Sequence, residues 1–427
     1  MEHAQRVAAR IVRRVLAGAT LPVALAAAGG GAEHDRALVQ ELAYGALRFL
    51  GQLRAVVRAL ADRPLSDPSV EALLWVSLYQ LIHTTAPQHA VVYGAVQATA
   101  SLKKSSARGL TNAILRNFLR RRDAVLAMVE RDDEARFSYP RWWIDRVRNE
   151  YGARAAAILD DGNGRPPLTL RVNRRALSRA SYLDVLSAQG IAATAIGEAG
   201  VVIVNPRAVT ELPGYAEGWF LVQDAGAQLA APLLGVADGM RVLDVCAAPG
   251  GKTTHLAELA TLDLVALDID SARLERVTQN LARLDLRARV VAADAGDTRS
   301  WWDGNAFDRI LVDAPCTASG VVRRHPDGKW LRRESDLAAF GKQQQRLLDA
   351  VWPCLAQGGR LLYATCSIFR PENDDQVAAF AARHPDVLRL SPRLPAGMGD
   401  ENGQLLPSGP GAEHNHDGFF YALLQKK

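Results

Sequence analysis

Apolar positions recur at helical spacing through the first third of the chain, with polar and charged residues between them. Apolar residues three and four positions apart form one face of an α-helix. This spacing predicts helices over residues 3–16, 36–60, 69–83, 91–104 and 111–122. Strand-type alternation is almost absent here, so residues 1–133 are predicted to form an all-α domain.

The pattern changes after this region. Residues 167–173 alternate like a strand, 182–189 have the spacing of a helix, and 201–204 form a second strand-type run. Residues 134–235 are therefore predicted to form a small α+β subdomain. From 236 to 427, strand-type and helix-type runs alternate, which is typical of a doubly wound α/β sheet. Three domains fit a chain of 427 residues at about 150 residues per domain.

Four successive strand-type runs carry an aspartate at or near their carboxyl ends, namely Asp244, Asp268, Asp294 and Asp313. A single aspartate after a strand is usually a helix cap or a turn residue. Four of them around a glycine-rich loop instead indicate a ligand site, because open α/β sheets bind ligands beyond the carboxyl ends of their strands.

The glycine-rich loop runs from residue 246 to 254, between a strand-type run and a helix-type run. Cys246 stands where a nucleotide-triphosphate loop needs its first glycine, and the three-glycine spacing of a dinucleotide fingerprint is absent. The third interpretation, a loop for S-adenosylmethionine, is favoured. The predicted cofactor-binding residues are Cys246, Ala247, Ala248, Pro249, Gly250, Gly251, Lys252, Asp268 for the ribose hydroxyls, Asp294 for the adenine amino group, and Asp313.

Two of the four cysteines, Cys316 and Cys366, each follow a strand-type run. A thiolate is a strong nucleophile, and a second thiol nearby could move a proton. The alternative is a pair of buried cysteines that act as small apolar side chains. Because the cysteines show no C-x-x-C spacing, neither a metal site nor a disulfide framework is predicted, and reduced thiols in the cytoplasm are expected.

Several motifs together resemble the RsmB (Sun/Fmu) family of bacterial 16S rRNA cytosine-C5 methyltransferases. They occupy residues 222–228, 246–255, 313–316, 323–327, 364–367 and 417–422. The resemblance implies a Rossmann-like class I methyltransferase domain preceded by an all-α NusB-like domain and a small RRM-like subdomain. It also implies S-adenosyl-L-methionine as cofactor and 16S rRNA, or a small-subunit assembly intermediate, as partner. We expect a monomer.

The resemblance also implies roles for three residues. Cys366 is the expected nucleophile at cytosine C6, Cys316 the group for C5 deprotonation and release, and Asp313 the contact to N3 and N4 of the ring. Relatives that act on DNA use the Pro-Cys cysteine as nucleophile, so the division of roles rests on the resemblance. Lys252 could lower the pKa of a nearby thiol or make a structural hydrogen bond within the loop, and both alternatives stay open.

The net charge of +5 and the pI near 9.1 favour an acidic partner. A basic cluster without intervening acids comprises Lys103, Lys104, Arg108, Arg116, Arg120, Arg121 and Arg122. Such a run is either a solvated helix face or a phosphate-binding surface, and the NusB resemblance favours RNA. Arg323, Arg324 and His325 are also expected to meet RNA phosphates.

Three other functions are weighed against this one. A NusB-like RNA-binding factor without activity would not need both cysteines and the acids, and an ATPase would need the missing first glycine. A tRNA cytosine methyltransferase stays open as a third alternative.

One stretch could be taken for a targeting segment. Arg13 and Arg14 precede an apolar stretch that resembles a secretory signal, but the helical spacing of 3–16 argues against it. No stretch approaches the ~18 continuous apolar residues of a membrane span.

Overall fold

The computed structural model of the protein describes residues 1–29, 33–409 and 414–427. The Gly-, Ser- and Pro-rich stretch 407–416 is predicted from sequence to be a loop, and its middle lies outside the described residues. Its described flanks, 407–409 and 414–416, contain neither helix nor strand. Within the described ranges, no helix combines the length and the apolar character needed to cross a bilayer.

The elements have the following bounds. The helices are α1 (Glu2–Leu16), α2 (Leu21–Ala26), α3 (Glu33–Arg48), α4 (Leu50–Leu60), α5 (Pro68–His83), α6 (Gln88–Ser101), α7 (Arg108–Val129), α8 (Asp133–Phe137), α9 (Arg141–Tyr151), α10 (Ala155–Asp161), α11 (Arg179–Ala188), α12 (Ala230–Leu234), α13 (Gly251–Leu259), α14 (Ser271–Arg283), α15 (Gly328–Leu331), α16 (Asp336–Val351) and α17 (Asp374–Arg383). The strands are β1 (Leu168–Val172), β2 (Ala193–Ile196), β3 (Gly200–Ile203), β4 (Phe220–Val222), β5 (Arg241–Val245), β6 (Asp263–Asp268), β7 (Arg289–Ala292), β8 (Phe307–Asp313), β9 (Leu355–Thr365), β10 (Val387–Leu390), β11 (Gln404–Leu405) and β12 (Phe419–Lys426).

The chain divides into two compact units. The first unit comprises residues 1–163 and 322–334, and the second comprises 164–321 and 335–427. Helices α8 to α10 thus belong to the first unit, although the sequence pattern ends the helical domain at residue 133. The small α+β region and the large sheet share the second unit. The three predicted domains therefore do not coincide with the two compact units.

The first unit is helical, as predicted. Helix α1 buries one apolar face against α3, α5 and α6, and α5 is buried on nearly all sides. A helix that is apolar all round belongs in a core. Helix α5 begins where Asp67 accepts hydrogen bonds from the N–H groups of Ser69 and Val70, with Pro68 in the first turn. This cap satisfies donors that the helix itself leaves unpaired.

The segment 322–334 belongs to the helical unit through buried polar contacts. Asp327 accepts a hydrogen bond from the N–H of Leu21 at the start of α2 (2.8 Å). The ammonium of Lys329 donates to the carbonyl of Arg48 and to the side chain of Asn163, each at 2.7 Å. These bonds satisfy polar groups removed from water, so the segment is a fixed part of this unit.

The second unit contains a small antiparallel sheet with strand order β2-β3-β1-β4 and the helix α11. The predicted strands at 167–173 and 201–204 correspond to β1 and β3, and the predicted helix corresponds to α11. Strands β2 and β4 are only four and three residues long. Strand β3 is equally short, but its three consecutive β-branched residues made it recognisable from sequence.

The larger sheet of the second unit has the order β10-β12-β9-β8-β5-β6-β7, with β11 paired to β12. Strands β9, β8, β5, β6 and β7 run parallel, so their carboxyl ends lie along one edge. Asp244, Asp268 and Asp313 lie in the last two positions of β5, β6 and β8. Strand β7 ends at Ala292, so Asp294 lies two residues beyond the end of the strand rather than within it.

Candidate active site

Cys316 and Cys366 lie side by side beyond the carboxyl ends of β8 and β9. These strands are parallel neighbours in which Asp313 is paired with Ala364, and the chain continues from each pair member to a cysteine. The two sulfur atoms are 3.4 Å apart. Cys316 is buried, whereas Cys366 is partly exposed. Cys366 is therefore the thiol more accessible to a substrate.

The surroundings of Cys316 keep its thiol protonated. The hydrogen bond with Cys366 raises the pKa of Cys316, and burial and the negative charges at Cys366 and Glu372 raise it further, well above its usual value. A buried thiol next to a negative charge has little tendency to ionise. Either thiol can donate in the contact between the two sulfur atoms, and Cys316 is the donor whenever Cys366 is a thiolate.

Lys252, at the end of the glycine-rich loop, is ion-paired with Asp313. Its Nζ lies 2.7 Å from Oδ2 of Asp313. Burial disfavours the charged form of Lys252, but the negative charges of Asp313 and Cys366 outweigh burial and raise the pKa of the ammonium. This bond reaches the end of β8 and is not the hydrogen bond within the loop that the sequence left open, and an effect of Lys252 on a nearby thiol stays a prediction.

The glycine-rich loop makes a tight turn from β5 into α13. Cys246 has φ 60° and Gly250 has φ 96°. A Cβ on Gly250 would lie 3.1 Å from the Cα of Val277, so both the conformation and the close packing require glycine there. A Cβ on Gly251 would meet only the amide of Gln223, at 3.5 Å. The loop thus leaves open space at the first residue of α13.

The acids along this edge have different partners. Asp268 is almost fully buried and accepts hydrogen bonds from the N–H groups of Ala248 (3.1 Å) and Asp270 (3.0 Å). Asp294 instead forms a two-point ion pair with Arg346, at 2.9 and 3.0 Å. The Asp268 bonds fix its carboxylate against the loop, whereas Asp294 is held beside α16.

Asp244 is the deepest of these acids. It is fully buried, and burial is the main reason that its pKa rises to about 7. Its Oδ2 accepts a hydrogen bond from the hydroxyl of Thr253 (2.5 Å), whereas its Oδ1 has no partner among the described residues. A buried acceptor without a donor is uncommon and marks a position where a further group could bind.

Glu372 is a site residue that the sequence analysis missed. Its carboxylate is fully buried and accepts hydrogen bonds from Thr317 and Ser367, the residues that follow the two cysteines. An acid in the Arg-Pro-Glu-Asn run soon after the second cysteine motif was the available signal. The burial of Glu372 could not be predicted from sequence, because it depends on the packing of the two cysteine loops against each other.

The basic cluster lies in the first unit and is only partly free for a ligand. Lys104 is ion-paired with Asp67 (2.6 Å), and Arg122 donates to the carbonyls of Leu81 (2.9 Å) and Ile82 (3.3 Å). These two side chains therefore have structural partners. The exposed members are Lys103, Arg108, Arg116, Arg120 and Arg121.

The prediction for the 323–325 run needs a correction at Arg323. This side chain is only 1% exposed, and its carbonyl accepts a hydrogen bond from the guanidinium of Arg48 (2.8 Å). A guanidinium shielded from solvent does not reach a phosphate at the surface. Arg324 is half-buried and His325 is exposed, so phosphate contact stays a prediction for these two.

A cavity of about 1190 Å³ also lies in the second unit, between the small sheet, α12, α13 and the segment after β10. Apolar side chains such as Leu229 and Leu394 line it together with Arg174, Arg360 and His255. None of the cofactor-binding or catalytic residues predicted from sequence lines this cavity. It is distinct from the cysteine site.

Three families match successive parts of the chain. Residues 2–120 match the NusB family, and residues 139–210 match the ferredoxin-like domain of RsmF/B-like methyltransferases. Residues 231–425 match a family described as 16S rRNA methyltransferase RsmB/F. The order of these matches agrees with the order of the helical, small-sheet and large-sheet regions.

A curated relative and two solved structures extend the comparison. "Ribosomal RNA small subunit methyltransferase B" of Pseudomonas putida is 46% identical over 400 residues, which are 92% of this chain and 91% of that protein. The crystal structure of PH0851 covers 100% of this chain and 99% of its own, with TM-score 0.81 and 24% identity. A methyltransferase homologue from Pyrococcus horikoshii covers 70% of this chain and 99% of its own, with TM-score 0.61 and 27% identity.

Proposed function

The chain belongs to the RsmB/F family of 16S rRNA methyltransferases, and from this premise we propose that it methylates C5 of a cytosine in 16S rRNA through a covalent cysteine intermediate. It is an S-adenosylmethionine-dependent rRNA methyltransferase. The observation that carries the proposal is the 3.4 Å separation of the Cys316 and Cys366 sulfur atoms at the carboxyl edge of the sheet. Cytosine C5 chemistry needs a nucleophile and a base at adjacent ring carbons, and this pair supplies both.

The residues of the glycine-rich loop fit S-adenosylmethionine. The tight turn at Gly250, the open space above Gly251 and the unpartnered Oδ1 of Asp244 together form a cradle at the start of α13. We assign the ribose hydroxyls to Asp268, because it is anchored to the loop at the end of β6. Asp294 would face the adenine amino group. The bound cofactor supplies an electrophilic methyl group.

Cys366 is the nucleophile in this proposal. It is the more exposed thiol, the thiol of Cys316 is hydrogen-bonded to its sulfur, and the charged Lys252 lies nearby. Both neighbours stabilise a thiolate, which is the nucleophilic form. The Cys366 thiolate forms a carbon–sulfur bond to C6, and the electron pair moves through the ring so that C5 becomes nucleophilic.

Cys316 acts after the methyl group has arrived at C5. While Cys366 is a thiolate, its charge and hydrogen bond hold the proton on Cys316. Once Cys366 is a thioether, that charge is gone, and Cys316 can release its proton to solvent. The Cys316 thiolate then takes the C5 proton, the C6–sulfur bond breaks, and Cys366 leaves as a thiolate.

Asp313 and Lys252 flank the position of the base. The Asp313 carboxylate is 30% exposed on its side chain, and Lys252 is hydrogen-bonded to one of its oxygens. The Asp313 carboxylate can accept a further hydrogen bond, and the N4 amino group of cytosine can donate it. Because a base in a paired stem cannot reach between two strand ends, the target nucleotide must be unpaired or flipped out of its stack.

A deletion strain tests this function. Bisulfite sequencing of its total RNA should show loss of one methylated cytosine in 16S rRNA, and a wild-type copy should restore it. A Cys366→Ala copy should not restore it. Loss of a methylated cytosine from tRNA, with 16S rRNA unchanged, would contradict the substrate. An unchanged set of methylated cytosines in all RNA would contradict the reaction.

A further inference from the structure

Glu372 joins the two loops that carry the cysteines. Its Oε1 accepts a hydrogen bond from the N–H of Thr317 (2.8 Å), and its Oε2 accepts from the hydroxyls of Thr317 (2.6 Å) and Ser367 (2.5 Å). Thr317 follows Cys316 directly, and Ser367 follows Cys366 directly. A single buried carboxylate is thus bonded to the neighbours of both sulfur atoms.

The adjacent Asn373 holds the second loop from both sides of Cys366. Its Oδ1 accepts a hydrogen bond from the hydroxyl of Thr365 (2.6 Å), and its Nδ2 donates to the carbonyl of Ser367 (2.9 Å). The carbonyl of Cys366 itself accepts from the N–H of Gly320 in the first loop (2.9 Å). The backbone on each side of Cys366 is therefore fixed relative to the Cys316 loop.

This arrangement is costly if its only purpose is stability. A buried carboxylate loses its hydration, and apolar side chains of similar volume often stabilise a protein as well as buried charged groups do. Hydrogen bonds to a charged group are, however, short and directional. Glu372 therefore contributes most by holding the two loops at one separation.

We propose that Glu372 is a positioning residue that sets the distance between the Cys316 and Cys366 sulfur atoms, and with it the rate at which Cys316 removes the C5 proton. The catalytic part of this role, the effect on removal of the C5 proton, rests on the proposed function. The geometric part concerns the thiols alone and holds whatever the substrate is. Glu372 does not touch the substrate; it acts through Thr317 and Ser367.

The geometric part is tested on the full-length protein without RNA, using phenylarsine oxide. This reagent bridges two adjacent thiols through two arsenic–sulfur bonds and loses its oxygen as water, so no oxidation is involved. Glu372→Ala and Glu372→Asp should weaken its binding by about tenfold or more, because the loops lose bonds that hold the sulfur atoms together. Cys316→Ser marks the level for a single thiol.

Two further variants separate positioning from general stability. Glu372→Gln keeps the side-chain length, and its amide can still accept from one donor and donate to a hydroxyl, so it should bind the arsenical almost as the wild type does. Asp308→Asn is the matched control, because Asp308 accepts a bond from the N–H of Arg241 at the opposite end of β8. That variant should leave arsenical binding unchanged.

The charge of Glu372 gives a second readout. Since this charge helps to raise the pKa of Cys316, Glu372→Gln should shift the pH dependence of Cys316 alkylation to lower pH. With RNA and cofactor, Glu372→Asp should lower kcat, leave the dissociation constant of S-adenosylmethionine unchanged, and accumulate a covalent protein–RNA species.

The outcomes are distinct. Folded Glu372→Ala and Glu372→Asp proteins that bind the arsenical as tightly as the wild type overturn the positioning role. If Glu372→Ala does not fold, Glu372→Asp alone decides. Weakened arsenical binding together with a Cys316→Ala variant that forms no RNA adduct supports the geometric role and rejects the covalent mechanism.

Discussion

The ammonium of Lys252 lies 2.7 Å from the carboxylate of Asp313, which joins the end of the glycine-rich loop to the end of β8. One residue belongs to the segment assigned to the cofactor, and the other to the segment assigned to the base. The pair thus links the two halves of the site. It also keeps the positive charge of Lys252 beside the cysteines.

This pair is expected to be coupled in catalysis. Lys252→Gln should lower methylation kcat/KM by about 10- to 100-fold, because a hydrogen bond between charged groups contributes about 1.5–3 kcal/mol. In a double-mutant cycle with Asp313→Asn, the two losses should not add. Strictly additive losses would show that the two residues act independently.

Substitution of each of the two cysteines is expected to block a different step of the reaction. Cys366→Ala should abolish turnover and form no covalent RNA adduct. Cys316→Ala should still add to C6 and transfer the methyl group but should not release the product, so a protein–RNA species should survive denaturing electrophoresis. An adduct in Cys366→Ala, and none in Cys316→Ala, would reverse the assignment. Activity in both variants would rule out covalent catalysis.

Asp268 is expected to hold the cofactor ribose. Asp268→Ala should weaken S-adenosylmethionine binding by about 1.5–3 kcal/mol, because it removes hydrogen bonds to a charged acceptor. Calorimetry on the folded variant measures this directly. Asp303→Ala is a suitable control, since Asp303 is ion-paired with Arg241 (2.6 Å) at the amino end of β5. Equal affinity of the Asp268 variant and the wild type would reject the ribose role.

The exposed part of the basic cluster is expected to supply RNA affinity without chemistry. Reversal of Arg116, Arg120 and Arg121 to glutamate should weaken RNA binding and reduce its salt dependence, because fewer counterions are released. Cofactor affinity should not change. Arg122→Ala should mainly destabilise the fold, since Arg122 donates to two α5 carbonyls. A wild-type salt slope in the triple variant would identify the cluster as a solvated face.

Asp244 should make stability depend on pH. Its pKa is raised in the folded state to about 7 from an ordinary 3.8, so its contribution is fully present below pH 4 and is lost as pH rises through 7. Asp244→Asn should therefore lose less stability than the wild type between pH 5 and 8. Over this pH range the difference in unfolding free energy should reach at most about 3 kcal/mol, since about two of the pH units between the two pKa values are crossed at 1.36 kcal/mol each. Parallel curves for both proteins would contradict the raised pKa.

The sequence was sufficient for the main elements and for a prediction of where the site lies. Helical spacing located α1, α5 and α6 to within a few residues, because each has apolar positions on a consistent face or throughout. Strands β5, β6, β8 and β9 were recognisable as apolar runs because parallel strands are buried on both faces. Where these runs ended, the glycine loop and the cysteines indicated a ligand site and covalent chemistry.

Other features could not be read from sequence. Arg122 and Lys104 look like members of a basic run, but their partners, the α5 carbonyls and Asp67, lie 37 to 41 residues away. The run at 323–325 looks exposed, yet Arg323 is buried within the helical unit. A run of basic residues in the sequence suggests a charged surface. Whether each side chain is exposed depends on distant segments that pack against it.

The sequence by itself placed Asp244, Asp268 and Asp313 at or next to strand ends and showed that a cysteine follows each of two strands. The tertiary structure decided that these cysteines are 3.4 Å apart, that Cys316 is the buried member, and that Glu372 bonds to both of their loops. The pattern of apolar residues in a strand involves only neighbouring residues, so it can be recognised in the sequence. The distance between two loops depends on the register of β8 with β9 and on a buried hydrogen-bond network, and neither is encoded in any single stretch of chain.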